Sequence, residues 1–331
     1  LIFQTQKDLV MGGTAGDHGE AILFLAHHHI DKDRPRGLDH LLDDIIDLIG
    51  LGCAEVRRSS SDKLSIVCTT GMVGDLVQNV AGDAAEIVTL MGPGVDPHYY
   101  KASKGDVERL AAADAIFYNG LYLEGKMQEI FERMEGSKNV VAVTRDVPTD
   151  KLRQPPDLEG QYDPHIWFDV SLWKEAVGPV VATLSEIRPD LYGDFKVRGE
   201  AYRARLDTLH NWVSQEIQSV PKEGRVLVTA HDAFGYYGIA YGIKVVGLQG
   251  ISTVAEYGVT DVIRLVDLIA DSGVKAIFVE SSVPERSIYA VLEGCKARGA
   301  DVRIGGTLYS DAMGEPGTGA DTYVGMVQST S

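Results

Sequence analysis

From Lys63 onward the chain repeats a pattern that few folds can satisfy: short runs that are apolar throughout alternate with amphipathic stretches of helical period. "LSIVCTT", "EIVTLMG", "AIFYNGL" and "NVVAVTRDV" are the apolar runs of the first half, with "GMVGDLVQNVAG" and "KGDVERLAAAD" between them. A strand that is apolar on both sides must be covered on both sides, and strands alternating with helices pair in parallel. The same alternation returns in "GRVLVTA", "IKVVGLQG", "KAIFVESS" and "DVRIGGTLYS", separated by "AFGYYGIAYG", "VTDVIRLVDLIADSG" and "ERSIYAVLEGCKARG". Between the two halves runs "PDLYGDFKVRGEAYRARLDTLHNWVSQEIQSVP", with proline only at its ends. As one helix it would extend roughly 40 Å at 1.5 Å per residue, enough to join two lobes.

The pattern predicts an α/β protein: two (βα) lobes with mainly parallel sheets, joined by one long rigid α-helix. The boundaries read as an N-terminal lobe at 63–188, a linking helix at 189–220 and a C-terminal lobe at 221–331. Residues 1–62 differ in kind. They carry five of the nine histidines (His18, His27, His28, His29 and His40), the charge cluster "DKDRPRGLDH" and the polar "RRSSSDK". They read as a leader or disordered segment outside the fold, whose histidine run is a solvated tract. Within it "LIGLGCAEV" resembles a lipoprotein cleavage site with Cys53 as the candidate lipid-anchored residue, although Asp43, Asp44 and Asp47 interrupt the apolar stretch before it.

With 31 basic and 48 acidic side chains the formal charge is −17, and no basic stripe with interleaved aromatics offsets it. A nucleic-acid backbone would be repelled, so nucleic acid is not an expected partner. No apolar run is long and unbroken enough to span a bilayer. Cys53, Cys68 and Cys295 have no paired spacing, so neither a disulfide framework nor a thiolate metal site is expected, and Cys68 and Cys295 read as small core residues.

The tripeptide Asp-Pro-His occurs twice, in "GPGVDPHYYKAS" with His98 and in "YDPHIWFDVSLW" with His165. Proline fixes its own φ and keeps the preceding residue extended, so each His is presented on a stiff turn. Taken alone, Asp-Pro is a common turn opener and a His after it an ordinary loop residue. Two further metal-type residues stand in comparable loops: His231 directly after "RVLVTA", and Asp311 after "DVRIGGTLYS". Singly, each also suits a helix start or a turn. Ligands of open α/β sheets gather at the carboxyl ends of strands, and two candidates come from each lobe, which places a site in the cleft between them. Three imidazoles and one carboxylate suit a divalent cation of zinc type and fill its coordination shell. Asp96, Asp163 and Asp232 are candidate acceptors for a ligating His, or else solvated or capping acids.

From about Lys63 to its end the chain resembles the metal-binding solute-binding proteins of ABC importers. The resemblance rests on "MGPGVDPHYYKASKGDVERLAAADAIFYNGLYLE", "YDPHIWFDVSLW", "RVLVTAHDAFGYYGIAYG", "GLQGISTVAE", "FVESSVP" and "YSDAMGEPGTGADTYVGMV". It implies that His98, His165, His231 and Asp311 hold a metal ion buried between two lobes joined by a rigid helix. It further implies a periplasmic or extracytoplasmic monomer that carries Zn2+ or Mn2+, with Fe2+ also in range, to a membrane permease. On the same resemblance the chain stops at "VGMVQSTS", inside the family's last helix. A zinc-dependent hydrolase is the alternative from another class. Catalytic zinc keeps an open position beside a general base, whereas this set supplies four ligands and no His-Glu-x-x-His helix. Glu280, at the end of "KAIFVE", is the one acid to nominate as a base, although a hydrogen-bonded structural role suits it better. A surface adhesin is a third reading, since related lipoproteins act in that role.

Overall fold

A computed structural model describes residues 63–331, apart from Glu159 and Glu256. The leader, with its histidine run and Cys53, lies outside the described residues. The first half forms a four-stranded sheet from β1 (Leu64–Cys68), β2 (Ala85–Thr89), β3 (Ala115–Tyr118) and β4 (Asn139–Ala142). Its order is β2-β1-β3-β4 and every pair is parallel. The alternation of side chains along each strand divides the apolar residues between two cores. Leu64, Ile66 and Cys68 of β1 join Ala115 and Phe117 of β3 on one face, while Val67, Ile116 and Tyr118 line the other. Both faces are therefore covered, the first by α1 (Gly71–Ala81) and the second by α2 (Lys104–Ala112) and α3 (Gln128–Met134).

Helix starts follow local chemistry. The Thr70 hydroxyl accepts the N–H of Val73 at the head of α1, and Ser103 with Asp106 forms a reciprocal capping box on α2. The short α3 is not apparent in the sequence, since seven residues barely show a helical period. It supplies the crossover that parallel pairing of β3 with β4 demands. After the first sheet come α4 (Val170–Trp173) and α5 (Val177–Ile187).

The expected linking helix is present. Pro189–Leu191 make one 3₁₀ turn, and α6 then runs unbroken over Tyr192–Ser219, 28 residues and about 42 Å. Its buried residues Phe195, Gly199, Tyr202, Leu206, Leu209, Val213 and Ile217 recur every three or four positions, so one face is covered along its whole length. The second half contributes β5 (Val226–His231), α7 (Gly235–Tyr241), β6 (Lys244–Gln249), α8 (Val259–Ser272), β7 (Ala276–Glu280), α9 (Arg286–Ala297) and β8 (Arg303–Leu308). β5 pairs with β6 and β7 with β8, both in parallel, and β5 lies beside β7. Val228, Leu265, Ile269, Ile277, Ile288 and Val291 form the core of this half.

The core of the first half is not confined to it. Phe234, Tyr237 and Tyr241 around α7 belong to it, as do Tyr323, Met326 and Val327 of the last helix α10 (Tyr323–Thr330). The Tyr323 hydroxyl donates to the Trp167 carbonyl at 2.6 Å, pinning α10 to the 3₁₀ turn Ile166–Phe168 just before α4. Cys68 and Cys295 are buried free thiols. Among the described residues no helix is long and apolar enough to cross a membrane.

Gly199 marks a close approach of α6 to α5. A Cβ there would stand 2.7 Å from Cγ2 of Val181 and 3.3 Å from Cγ1 of Val177. Gly199→Leu should force the two helices apart and cost about 1–3 kcal/mol through overpacking, read as a lowered urea midpoint with an unchanged slope. An unshifted midpoint would show that this contact is not tight.

Candidate metal centre

Each candidate ligand stands where a strand ends or where a proline turn fixes the backbone. In the first Asp-Pro-His turn, Oδ1 of Asp96 accepts the backbone N–H of His98 at 2.9 Å, and its Oδ2 accepts the Thr253 hydroxyl at 2.7 Å. In the second, Oδ1 of Asp163 accepts the His165 backbone N–H at 3.0 Å and also faces its Nδ1 at 2.7 Å. The repeated tripeptide is thus an Asx turn in which the acid aims the backbone of the histidine two residues on. The Pro164 carbonyl accepts the Asn119 amide at 3.0 Å, which ties the second turn to the end of β3. His231 is the last residue of β5, and Asp311 lies in the loop after β8.

All four side chains are almost inaccessible: His165 and His231 are 0% exposed, Asp311 1% and His98 5%. One ligand atom from each lies within 4.8 Å of the other three. Nε2 of His98 is 3.3 Å from Nε2 of His165, which is 3.3 Å from Oδ1 of Asp311, and Nε2 of His231 is 3.2 Å from Oδ2 of Asp311. A tetrahedral zinc with bonds near 2.0–2.1 Å spaces its ligands by about 3.3 Å. Nε2 of His231 and Oδ1 of Asp311 are buried without a hydrogen-bond partner, as atoms directed at a cation would be.

A carboxylate backs two of the imidazoles. Glu280, ending β7, accepts the His231 backbone N–H with Oε1 at 2.9 Å and faces its Nδ1 with Oε2 at 2.5 Å. With Asp163 behind His165, both rings carry their proton on Nδ1 and turn Nε2 inward. Glu280 therefore has the structural role favoured for it, with both oxygens engaged. Asp96 contacts the backbone of His98, not its ring. Asp232 does not cap α7, whose N-cap Phe234 makes no side-chain bond; it pairs at 3.5 Å with Arg153. Arg153, which no motif marked, also pairs with Asp163. The indole of Trp167 was missed too: its N–H donates to the Ser310 carbonyl at 3.0 Å, steadying the residue before Asp311. The "HIWFD" sequence that places it beside His165 was its only signal.

The electrostatics separate the three imidazoles. Burial works against charge on His165, but the hydrogen bond to Asp163, the close approach of Asp311 and the charges of both acids outweigh it, holding the pKa up to about 9. Burial opposes charge on His231 as well, yet the charges of Glu280 and Asp311 keep its pKa well above the usual value. For Asp311 burial is also the largest single influence, and the adjoining imidazoles overcome it, holding the carboxyl well below its usual range. His98 has no such carboxylate behind its ring, and burial carries it down to about 3.

Known proteins share this framework. The sequence profile described as "ZnuA: Zinc-uptake complex component A periplasmic" matches residues 66–331. "Manganese-binding lipoprotein MntA" of Bacillus subtilis is 46% identical over 280 residues, covering 84% of this chain and 91% of its own. "Zinc-binding protein TroA" of Treponema pallidum is 47% identical over 269 residues, covering 81% and 87%. The solved structure of the periplasmic zinc-binding TroA superposes with a TM-score of 0.79 over 81% of this chain and 96% of that one.

The raised imidazole pKa values carry a sign that can be tested. Without metal, His165 and His231 keep a second proton at neutral pH, so an ion bound at these rings would displace both, whereas His98 is already neutral. Calorimetry in buffers of different ionisation enthalpy should find about two protons released per ion at pH 7. Affinity should fall continuously as pH drops through about 9 and below, since the proton on His165 competes from its pKa downward. Binding without proton release would contradict the charge state assigned here.

Proposed function

The chain belongs to the ZnuA family of metal-uptake components, and on that premise we propose that it captures one divalent transition-metal ion and delivers it to a membrane permease of an ABC importer. The ion is zinc or manganese, the two metals in the names of relatives of nearly equal identity, with iron(II) as a further ligand. The ligands are His98, His165, His231 and Asp311. The observation that carries the reading is their convergence: three imidazole nitrogens and a carboxylate oxygen, all buried, within 4.8 Å of one another.

The lobes that hold the ion are residues 63–188 and 221–331, with 189–220 as the connector. The protein works as a monomer in the periplasm or outside the cytoplasmic membrane, the location being in keeping with the family description and with relatives named as lipoproteins. Cys53, the candidate anchor, lies outside the described residues. Solute-binding components of transporters are not enzymes, and the hydrolase alternative finds no support in the site. Such an enzyme needs a base facing the ion, and Glu280 commits both oxygens to His231.

Donor chemistry gives the metal preference a direction. Imidazole suits zinc, carboxylate suits manganese, and zinc stands above manganese in the general affinity order. Zinc should bind more tightly in vitro even where manganese is also carried.

Metal analysis and titration of the full chain should find one tight ion and no hydrolytic turnover. The same should hold after His27, His28 and His29 are replaced by alanine, while alanine at His165 or His231 should cost more than about 100-fold, beyond the usual effect of an outer-sphere change. A tight site that survived both ligand substitutions would overturn the assignment. His231→Glu gives two nitrogens and two carboxylates, so zinc affinity should fall more than manganese affinity in competition titrations. An unchanged ratio would remove His231 from the ligand set.

A further inference from the structure

Arg153 lies outside every motif, yet it meets the carboxylate that supports one candidate ligand, His165, and the acid that directly follows another, His231, in the other half of the chain. Its Nη1 pairs with Oδ2 of Asp163, the carboxylate whose other oxygen faces Nδ1 of His165. Its Nη2 stands 3.5 Å from Oδ2 of Asp232, the residue directly after His231. The arginine side chain is 20% exposed and that of Asp163 fully buried, so the pair is largely shielded from solvent.

The surrounding atoms hold it in place. The Arg153 N–H donates to the Tyr236 hydroxyl at 2.9 Å, and that hydroxyl donates to the Asp163 carbonyl at 3.0 Å. The Asp163 N–H in turn donates to the Arg153 carbonyl at 2.9 Å, and the guanidinium lies 5.7 Å from the centre of the Tyr236 ring. The first residue of α7 is Gly235, and a Cβ there would stand 1.3 Å from Nη1 of Arg153. The guanidinium thus occupies the space a side chain at 235 would need.

We propose that Arg153 is a positioning residue that clamps the two lobes around the metal, bridging the carboxylate behind His165 to the acid beside His231. The clamp rests on the four-ligand reading of the site. The planar guanidinium presents donors on separate nitrogens in a fixed fork and so holds two carboxylates in a set geometry, whereas lysine offers its three donors from one freely rotating nitrogen. With the clamp closed, Oδ2 of Asp163 is fixed, so Oδ1 stays aimed at His165 and the imidazole keeps Nε2 directed at the ion. Without it, a buried carboxylate oxygen loses its partner, the ring behind it loses its fixed aim, and the loop leaving β5 is untied from the first lobe.

The test uses the full chain loaded with cobalt(II), whose visible absorption reports ligand geometry, and with zinc, whose release to excess chelator gives a dissociation rate. Arg153→Gln removes the charge. Gly235→Ala removes none, favours the helix and displaces the guanidinium by its methyl group alone. Both should release zinc ten to a hundred times faster than wild type and alter the cobalt spectrum, with Arg153→Lys falling between. Because Gly235→Ala retains every charged group, it tests the clamp even if Arg153→Gln fails to fold. If both variants lowered the melting temperature of the metal-free protein yet kept the wild-type spectrum and release rate, Arg153 would be a structural staple and the inference would fall alone. A wild-type protein that held neither metal would overturn the functional reading and the clamp together.

Discussion

Polar atoms buried without partners are costly, and three imidazoles crowded against one carboxylate can persist in a folded interior only if a cation or protons complete them. That requirement governs the rest of the molecule. His98, His165, His231 and Asp311 have lost nearly all contact with water, so ring nitrogens turned away from the centre gain from partners within the fold. Asp163 and Glu280 do so for two rings. The third, His98, is aimed through its backbone by Asp96 and is left with little tendency to hold a proton. One ring is thus ready for a metal at neutral pH, while two must first give up protons.

Parallel sheets make this arrangement geometrically available. All strand pairs in both halves are parallel, so each half presents its carboxyl ends along one edge, and loops leaving that edge can meet only where the halves face each other. His231 and Glu280 show the principle at its shortest range: they end β5 and β7, which lie side by side, and their contact needs no loop excursion. The two halves are joined by α6, whose covered face shares a core with α1, α5 and α7. A connector of this kind limits large hinge motion, and Thr253 of the second half meets Asp96 of the first at the cleft.

Much of the fold was legible in the sequence, because its cause is local. Wholly apolar strands alternating with amphipathic helices require a doubly covered parallel sheet, and the linking helix advertised itself by apolar residues at intervals of three and four. The element that escaped, Gln128–Met134, is too short for any period to emerge. Ligand candidates were legible for the same reason: Asp-Pro-His is a stiff turn wherever it occurs, and His231 and Asp311 follow strands. Asp163 could be nominated from its place two residues before a histidine. By contrast, the partner of His231 is 49 residues away, and the hydroxyl on Asp96 is 157 away. Arg153 could not be found by any periodicity, since its two carboxylates are brought together only when the loops of both halves close.

The division has a physical basis. By itself the sequence determined the α/β class, the parallel pairing and the long connector, and it nominated four residues of metal-binding type, since patterns of burial and backbone stiffness are written residue by residue. Tertiary structure alone decided that two of the three imidazoles are backed by carboxylates and the third is not, that the core of the first half takes in α7 and α10, and that a single guanidinium pairs with both Asp163 and Asp232. Those features depend on distances between groups remote in the chain, and such distances exist only once the chain has folded.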